Sequence, residues 1–453
     1  MSETPSLLEQ SAARACWSLA WPTILLGFLR SGYFLANSFW VSNLGSSALA
    51  AIGGCAFASW ILYALMDLVA VGVYARVAQA VGAGDRLQAR RLLGLGLCMA
   101  VGLGLLLSWG VWASADLYLR TQGLVAPEAY AAARAYLEAS AWGCLPITLF
   151  NLLAASFRAM GNARAPLWMY GLTLVLNAVI DPWLIYGGGG FEGMGVAGAA
   201  VATAISHVLG VLLSLWLLVR ADFLPVWGGL RWQWVPNILS IGAPIAASGA
   251  GFSLVYVFLG REINRYGPEA MAGVGLGHRL ESLVFLICLG FQVAATTLVG
   301  QWVGAGQPER AAAAAREIRR QLILVIGPAS ILLMVLAVPL LSLFTTDPAV
   351  LEVGRFYVYL TGSVAILMGF EVMYEGAFSG TGKTLVPLLI AFPLTAARVP
   401  VAIWLGSWTT WGVVNVFVAI ACSTFLKGLL MWFFFERGGW RRPLASSEST
   451  SGA

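Results

Sequence analysis

Charge is what this sequence has least of. Only 10% of its 453 residues are Asp, Glu, Lys or Arg, and 59% are hydrophobic, whereas a soluble domain carries roughly a quarter charged residues. Histidine is nearly absent too: His207 and His278 stand alone, and no DxxxD-type loop accompanies them. An integral-membrane transferase builds its chemistry on such clusters near one surface, so their absence argues against an enzyme. The six cysteines (Cys16, Cys55, Cys98, Cys144, Cys288, Cys422) lie in apolar segments without CxxC or Cys/His spacing and read as small packing residues. Period-two alternation is missing from the apolar runs, which excludes a β-barrel. No basic region precedes the first apolar run near Ala15, so that run is expected to be a span rather than a cleaved leader. The net charge of +5 gives no nucleic-acid signal, because the arginines cluster between the apolar runs.

What is present is a series of apolar stretches such as LLGLGLCMAVGLGLLLSWGVWA (92–113) and LILVIGPASILLMVLAVPLLSLF (322–344). About 20 apolar residues cross some 30 Å of hydrocarbon as a helix, and lipid leaves no alternative to helices once barrels are excluded. The reading is an all-α polytopic membrane protein. Twelve spans are predicted, at 14–41, 47–80, 92–118, 130–158, 165–187, 195–221, 237–266, 270–303, 318–345, 352–380, 385–407 and 411–437. One set of alternate loops and tails holds 16 Lys and Arg; the other holds Arg120, Arg134, Arg265 and Arg355. Basic residues are retained on the cytoplasmic side, which predicts both termini there, in a plasma (inner) membrane.

The chain also says things twice. VAQAVGAGDRLQA (77–89) aligns with VGQWVGAGQPERA (299–311) at an offset of 222, as do Pro22 with Pro244, Gly45 with Gly267, and ALAAIG (48–53) with AMAGVG (270–275). FRAMGNARAP (157–166) aligns with FSGTGKTLVP (378–387) at an offset of 221. A repeated unit of six spans returns the chain to its starting side, so the halves share one orientation. The expected organisation is a six-helix lobe (1–221), a cytoplasmic linker (222–236), a second six-helix lobe (237–437) and a polar cytoplasmic tail (438–453), with a cleft between two bundles. The glycines of AVGAGD look like a phosphate loop, but neither copy follows a strand or carries a P-loop lysine. They are read as a turn ending span two, followed by a basic cytoplasmic loop.

These anchors, together with SLAWPTILLG (18–27), IGAPIA (241–246) and the block MGNARAP…LNAVIDPWLIYGGGGFEGMGVAGAAVAT (160–203), resemble the multidrug and toxic compound extrusion family of secondary transporters. The resemblance implies twelve helices in two V-shaped lobes. It also implies export of amphiphilic, often cationic, compounds against inward H⁺ or Na⁺, with no other cofactor; a monomer is expected. It matches Asn177, Asp181 and Thr203 to a first-lobe cation site, where Na⁺ or a proton would bind. It also places Asn37 where many relatives carry an aspartate, and an amide cannot titrate.

A carboxylate at mid-bilayer costs about 2.5–3.5 kcal/mol, so retained charges are functional candidates. Asn177 and Asp181, four apart, share a helix face. Asp67 in span two is a substitute for the missing span-one acid, or a structural partner of Arg30. The second lobe offers Glu281 in span eight, Glu371 and Glu375 one turn apart in span ten, and Arg398 in span eleven. A Glu371–Arg398 interhelical pair is the structural alternative, and Lys427 in span twelve is left as snorkelling or paired. Substrate-contact candidates are Tyr33, Phe34, Tyr63, Tyr256, His278 and Tyr374, while His207 is read as packing. Rival functions are a lipid-linked saccharide flippase of the same superfamily and the transferase already set aside.

Overall fold

A computed structural model describes residues 7–121 and 127–441, and all of their side chains except those at 33–39, 42, 46, 49, 50, 56 and 57. The helices of the first repeat are α1 (Ala12–Ser42), α2 (Ser46–Gly82), α3 (Arg86–Thr121), α4 (Pro127–Ala159), α5 (Arg164–Tyr186) and α6 (Val196–Arg220). The second repeat holds α7 (Val235–Asn264), α8 (Pro268–Gly304), α9 (Pro308–Val335), α10 (Ala337–Ser342), α11 (Pro348–Ser363), α12 (Ala365–Thr381), α13 (Leu385–Ala396), α14 (Arg398–Trp408) and α15 (Val414–Glu436). Among the described residues eleven stretches are long and apolar enough to cross a bilayer, and α11 with α12, bent by 56°, make a twelfth if counted as one span. A two-residue hairpin, Gly187–Gly188 paired with Phe191–Glu192, joins α5 to α6.

The helices outrun the apolar stretches that identify them. Span three was expected from residue 92, yet α3 begins at Arg86; span nine was expected from 318, yet α9 begins at Pro308. The expected basic loop 86–91 is therefore the first turn and a half of a helix, and the connection shrinks to residues 83–85. Asp85 caps α3, its Oδ1 accepting from the Gln88 N–H at 2.8 Å. Hydropathy marks where lipid ends; the backbone has no reason to unwind there, since arginines are solvated at the headgroup level.

The internal repeat is written in the backbone. At the end of α2, Gly84 N donates to the Val81 carbonyl and Asp85 N to the Ala80 carbonyl, both at 3.0 Å. At the end of α8, Gly306 N donates to Val303 at 3.0 Å and Gln307 N to Trp302 at 2.9 Å. This is the six-to-one, five-to-two closure of a helix by a left-handed residue, and Gly84 and Gly306 supply φ of +76° and +70°. The turn after α4 (Gly161, φ +88°) and the turn after α12 (Gly382, φ +80°) repeat the device. Alanine at either Gly84 or Gly306 is expected to cost about 1–2 kcal/mol, read as matching drops in the thermal unfolding midpoint of the purified protein.

Two compact units emerge: Trp17–Val257, and Phe258–Ala453 together with Met1–Cys16. In the first, α4 is central and packs on α2, α3 and α6; in the second, α12 packs on α8, α9 and α15, the same pairing one repeat later. Glycines make the close approaches: a Cβ on Gly242 would overlap the Leu68 carbonyl oxygen, and one on Gly428 the Leu367 carbonyl oxygen. The segment after α6 is pinned to α3, with Arg90 Nε donating to the Leu224 carbonyl at 2.7 Å and Val226 N to the Arg90 carbonyl at 3.2 Å. Where α11 gives way to α12, the freed Gly362 carbonyl accepts from Ser330 Oγ at 2.8 Å, which satisfies a backbone group that lipid could not.

Candidate functional site

In the first unit, α5 brings Asn177 and Asp181 onto one face, both buried (3% and 0% exposed). Asn177 Nδ2 donates to Asp181 Oδ1 at 2.9 Å, as the four-residue spacing dictates. Thr203 on α6 faces the other end of the amide, its Oγ1 3.4 Å from Asn177 Oδ1, and donates to the Ala199 carbonyl at 2.9 Å. The structure thus brings together the three residues that the resemblance grouped. A carboxylate, an amide oxygen and a hydroxyl are the donors a hard monovalent cation takes. The same carboxylate can carry a proton instead, with the amide turning its oxygen or nitrogen to suit.

His207, one turn beyond Thr203, bonds the Thr203 carbonyl through Nδ1 at 2.8 Å, and its ring meets Phe150 edge-on at 5.1 Å. It supports the helix face that carries Thr203.

Asp67 lies on the exposed side of α2 with Tyr63, which is 43% exposed, one turn away. Arg158 and Arg30 are within electrostatic reach of Asp67, but no ion pair joins Arg30 to Asp67 among the described residues. Arg30 instead places its guanidinium 5.3 Å above the Tyr170 ring. Tyr256 on α7 stacks obliquely on Phe252, with ring centroids 4.4 Å apart. Tyr33, Phe34 and Asn37 fall in α1, but their side chains lie outside those described.

The second-unit candidates each take their own hydrogen-bond partners. Glu281 accepts from the Tyr357 hydroxyl at 2.6 Å and lies 3.3 Å from His278 Nδ1, with the imidazole half exposed. Glu375 accepts from Gln292 Nε2 at 3.2 Å. Glu371 pairs with Lys427, Nζ to Oε1 at 2.6 Å, and not with Arg398. Arg398 donates instead to Ser423 Oγ at 2.9 Å and Thr424 Oγ1 at 3.1 Å, both on α15. The structural alternative, a Glu371–Arg398 pair, is therefore replaced by one to Lys427, because α15 presents Lys427 toward Glu371 and its hydroxyls toward Arg398. Tyr374 is fully buried and accepts from Arg319 Nη1 at 3.2 Å, which also reaches Glu436 at 2.9 Å. It offers no open surface to a substrate.

Tyr357 and Gln292 were missed in the sequence. Gln292 had a signal, being polar inside the apolar run ICLGFQVAATT (287–297). Tyr357 had none, because a tyrosine near the start of a span reads as interfacial.

Comparison with known proteins agrees with the internal duplication. The MatE family model matches twice, at residues 22–183 and 244–404, intervals displaced by the same 222 and 221 residues as the repeated motifs. A probable multidrug resistance protein NorM from Thermotoga maritima is 27% identical over 94% of this chain and 92% of its own length. An FAD transporter from Shewanella oneidensis is 26% identical, covering 96% of this chain and 97% of its own. Among solved structures, a MOP superfamily transporter from Pyrococcus furiosus superposes with a TM-score of 0.89 at 23% identity, over 98% of this chain and 100% of that one. An outward-facing multidrug resistance MATE transporter gives 0.86 at 24%, over 95% and 96% of the two chains. At such identities the likeness to solved structures establishes the fold, and the doubled family match establishes the membership. The chain is a multi-pass membrane protein of the MatE family, the multidrug and toxic compound extrusion transporters, and not an enzyme.

Proposed function

We propose that this transporter exports amphiphilic, cationic compounds in exchange for H⁺ or Na⁺ by alternating access, with both termini cytoplasmic, and that Asp181 is the carboxylate that exchanges the ion. The observation that carries the reading is the buried Asn177–Asp181–Thr203 group. An acid with no exposed surface inside a span is expensive to keep, and here its neighbours offer oxygens as well as an amide donor. Binding of the coupling ion neutralises Asp181 and releases the attraction for a bound cation; loss of the ion restores it.

The test is efflux of a cationic dye from proteoliposomes after a pH jump or a Na⁺ jump. Efflux driven by one of the two gradients supports antiport; movement indifferent to both rejects it.

A second reading concerns the substrate's charge. Arg30 is exposed within α1 and stands over Tyr170, an arrangement that suits an anionic or zwitterionic group on a flat ring. The FAD transporter among the relatives is named for an anionic cargo. Under this reading Arg30→Ala should abolish competition by an anionic flavin nucleotide for dye efflux. Under the cationic reading it should leave dye efflux unchanged or raise it, with no flavin competition in either protein.

A further inference from the structure

The second unit holds a four-charge cluster that the exchange at Asp181 does not use. Lys427, 3% exposed and inside the Val414–Glu436 span, is bonded at 2.6 Å to Glu371, whose side chain is 16% exposed. Glu375 lies one turn further along α12, and Arg398, also 3% exposed, is held by α15 hydroxyls. Both Glu375 and Arg398 are within electrostatic reach of the ammonium. Two acids face two bases, and the cluster is neutral without any added ion.

The repeat shows what this cluster replaces. At the offset of 221, Asn177 corresponds to Arg398 and Asp181 to Ala402. Helices α6 and α15 align at an offset of 217 through their N-terminal glycines, Gly195 (φ +58°) and Gly412 (φ +62°). On that alignment Thr203 corresponds to Ile420, and Lys427 to Gly210. Every oxygen donor of the first-unit group is thus lost in the second. At two corresponding positions, an amide and a glycine, a fixed cation stands instead.

We propose that the Lys427 ammonium is a tethered counter-ion: it occupies, beside Glu371 and Glu375, the position a mobile monovalent cation would otherwise take, and so makes the second unit unable to bind Na⁺. The physical reason is charge balance in a largely buried site. Removing one partner of a buried pair leaves the other charge uncompensated. A vacancy between two carboxylates, with a glutamine beside Glu375 and hydroxyls beside Arg398, is chemically matched to a hard cation. Lysine forecloses that vacancy, and its tether prevents it from leaving with the transport cycle.

The proposal rests on the reading of Asp181 only for the background in which it is tested. Na⁺ binding is measured on purified Asp181→Asn protein, by radioactive sodium and by thermal unfolding in NaCl against choline chloride. Asp181→Asn alone is expected to show no specific Na⁺ binding. Adding Lys427→Gln should create saturable binding of a single Na⁺ per chain and a Na⁺-specific rise in the unfolding midpoint, and a further Glu371→Gln should remove both. Failure of Lys427→Gln to gain Na⁺ binding while remaining monodisperse overturns the proposal. So does Na⁺ binding by Asp181→Asn itself that Glu371→Gln abolishes. If Lys427→Gln does not fold, amine labelling of Asp181→Asn protein decides. The chain has two lysines, so Lys383 serves as the labelled reference. Lys427 should stay protected at every Na⁺ concentration, and labelling induced by Na⁺ would show that the ammonium is displaced. A wrong assignment of Asp181 would appear separately, as equal Na⁺ behaviour and transport in wild type and Asp181→Asn.

Discussion

Asp181→Asn is expected to eliminate ion-driven efflux while leaving a folded protein. The substitution keeps an oxygen where Asp181 Oδ1 accepts from Asn177 at 2.9 Å, and it keeps the volume, so packing of α5 against α6 should survive. What it removes is the one charge of that group, and the coupling with it. Exchange of one cation for one coupling ion moves no net charge, so the ion gradient is the driving force, and each tenfold step in it is worth about 1.4 kcal/mol, a further tenfold in the substrate gradient. Without a titratable or cation-binding group that contribution is lost, so accumulation ratios in proteoliposomes should fall from tens-fold toward unity. Proton release on adding a cationic dye to purified protein should vanish in parallel. Glu281→Gln is the comparison: Glu281 is tied to Tyr357 at 2.6 Å and its pair with His278 opens to the surface. The same loss there, with Asp181→Asn unaffected, would move the coupling group to the second unit.

How much of this could be read from the residues depends on the distance over which the signal acts. The spans were legible because hydrocarbon thickness sets a length that composition must meet. The repeat was legible because a helix closed by a left-handed residue needs glycine there, and Gly84, Gly161, Gly306 and Gly382 keep that requirement in both halves. Asn177 and Asp181 could be paired because four residues on one helix is a local rule; Thr203 joined them only through the family resemblance. Partners on different helices were another matter. Glu371 could be matched to Arg398 as well as to Lys427 until the rotation of α15 was known, since nothing local distinguishes which of its faces meets α12. The break between α11 and α12 at Val364 was equally invisible: no proline stands in LTGSVAILM (360–368) to mark it, and the Gly362 carbonyl at the bend is satisfied by Ser330, from another helix. Helix ends were misplaced wherever the chain remained helical beyond the lipid, as at Arg86 and Pro308.

Gly428→Val is expected to be the most damaging single packing change in the second unit. Gly428 adjoins Lys427 on α15, and a Cβ there would overlap the Leu367 carbonyl oxygen on α12. Backbone cannot swing aside as a side chain does, so α15 must move away from α12. Small residues let membrane helices approach closely enough for dispersion and hydrogen bonds to hold them, and one contact of each kind depends on this approach. Lys427 reaches Glu371 at 2.6 Å across the α12–α15 contact, and the Tyr374 and Phe435 rings meet at 5.2 Å across the same contact. Forcing the helices apart therefore adds the cost of an unpaired buried charge, about 3–5 kcal/mol, to that of an overpacked contact, about 1–3 kcal/mol. The sum, about 4–8 kcal/mol, is most or all of the stability at the lower end of the ordinary range, and the variant should accumulate far less monodisperse protein than the parent. Gly102→Val is the control: a Cβ at Gly102 on α3 meets nothing within 4 Å, so that variant should express and transport as the parent does. If Gly428→Val accumulated with unchanged unfolding and efflux, α12 and α15 would not be in the close contact on which the Glu371–Lys427 pair depends, and the tethered counter-ion would lose its geometric basis.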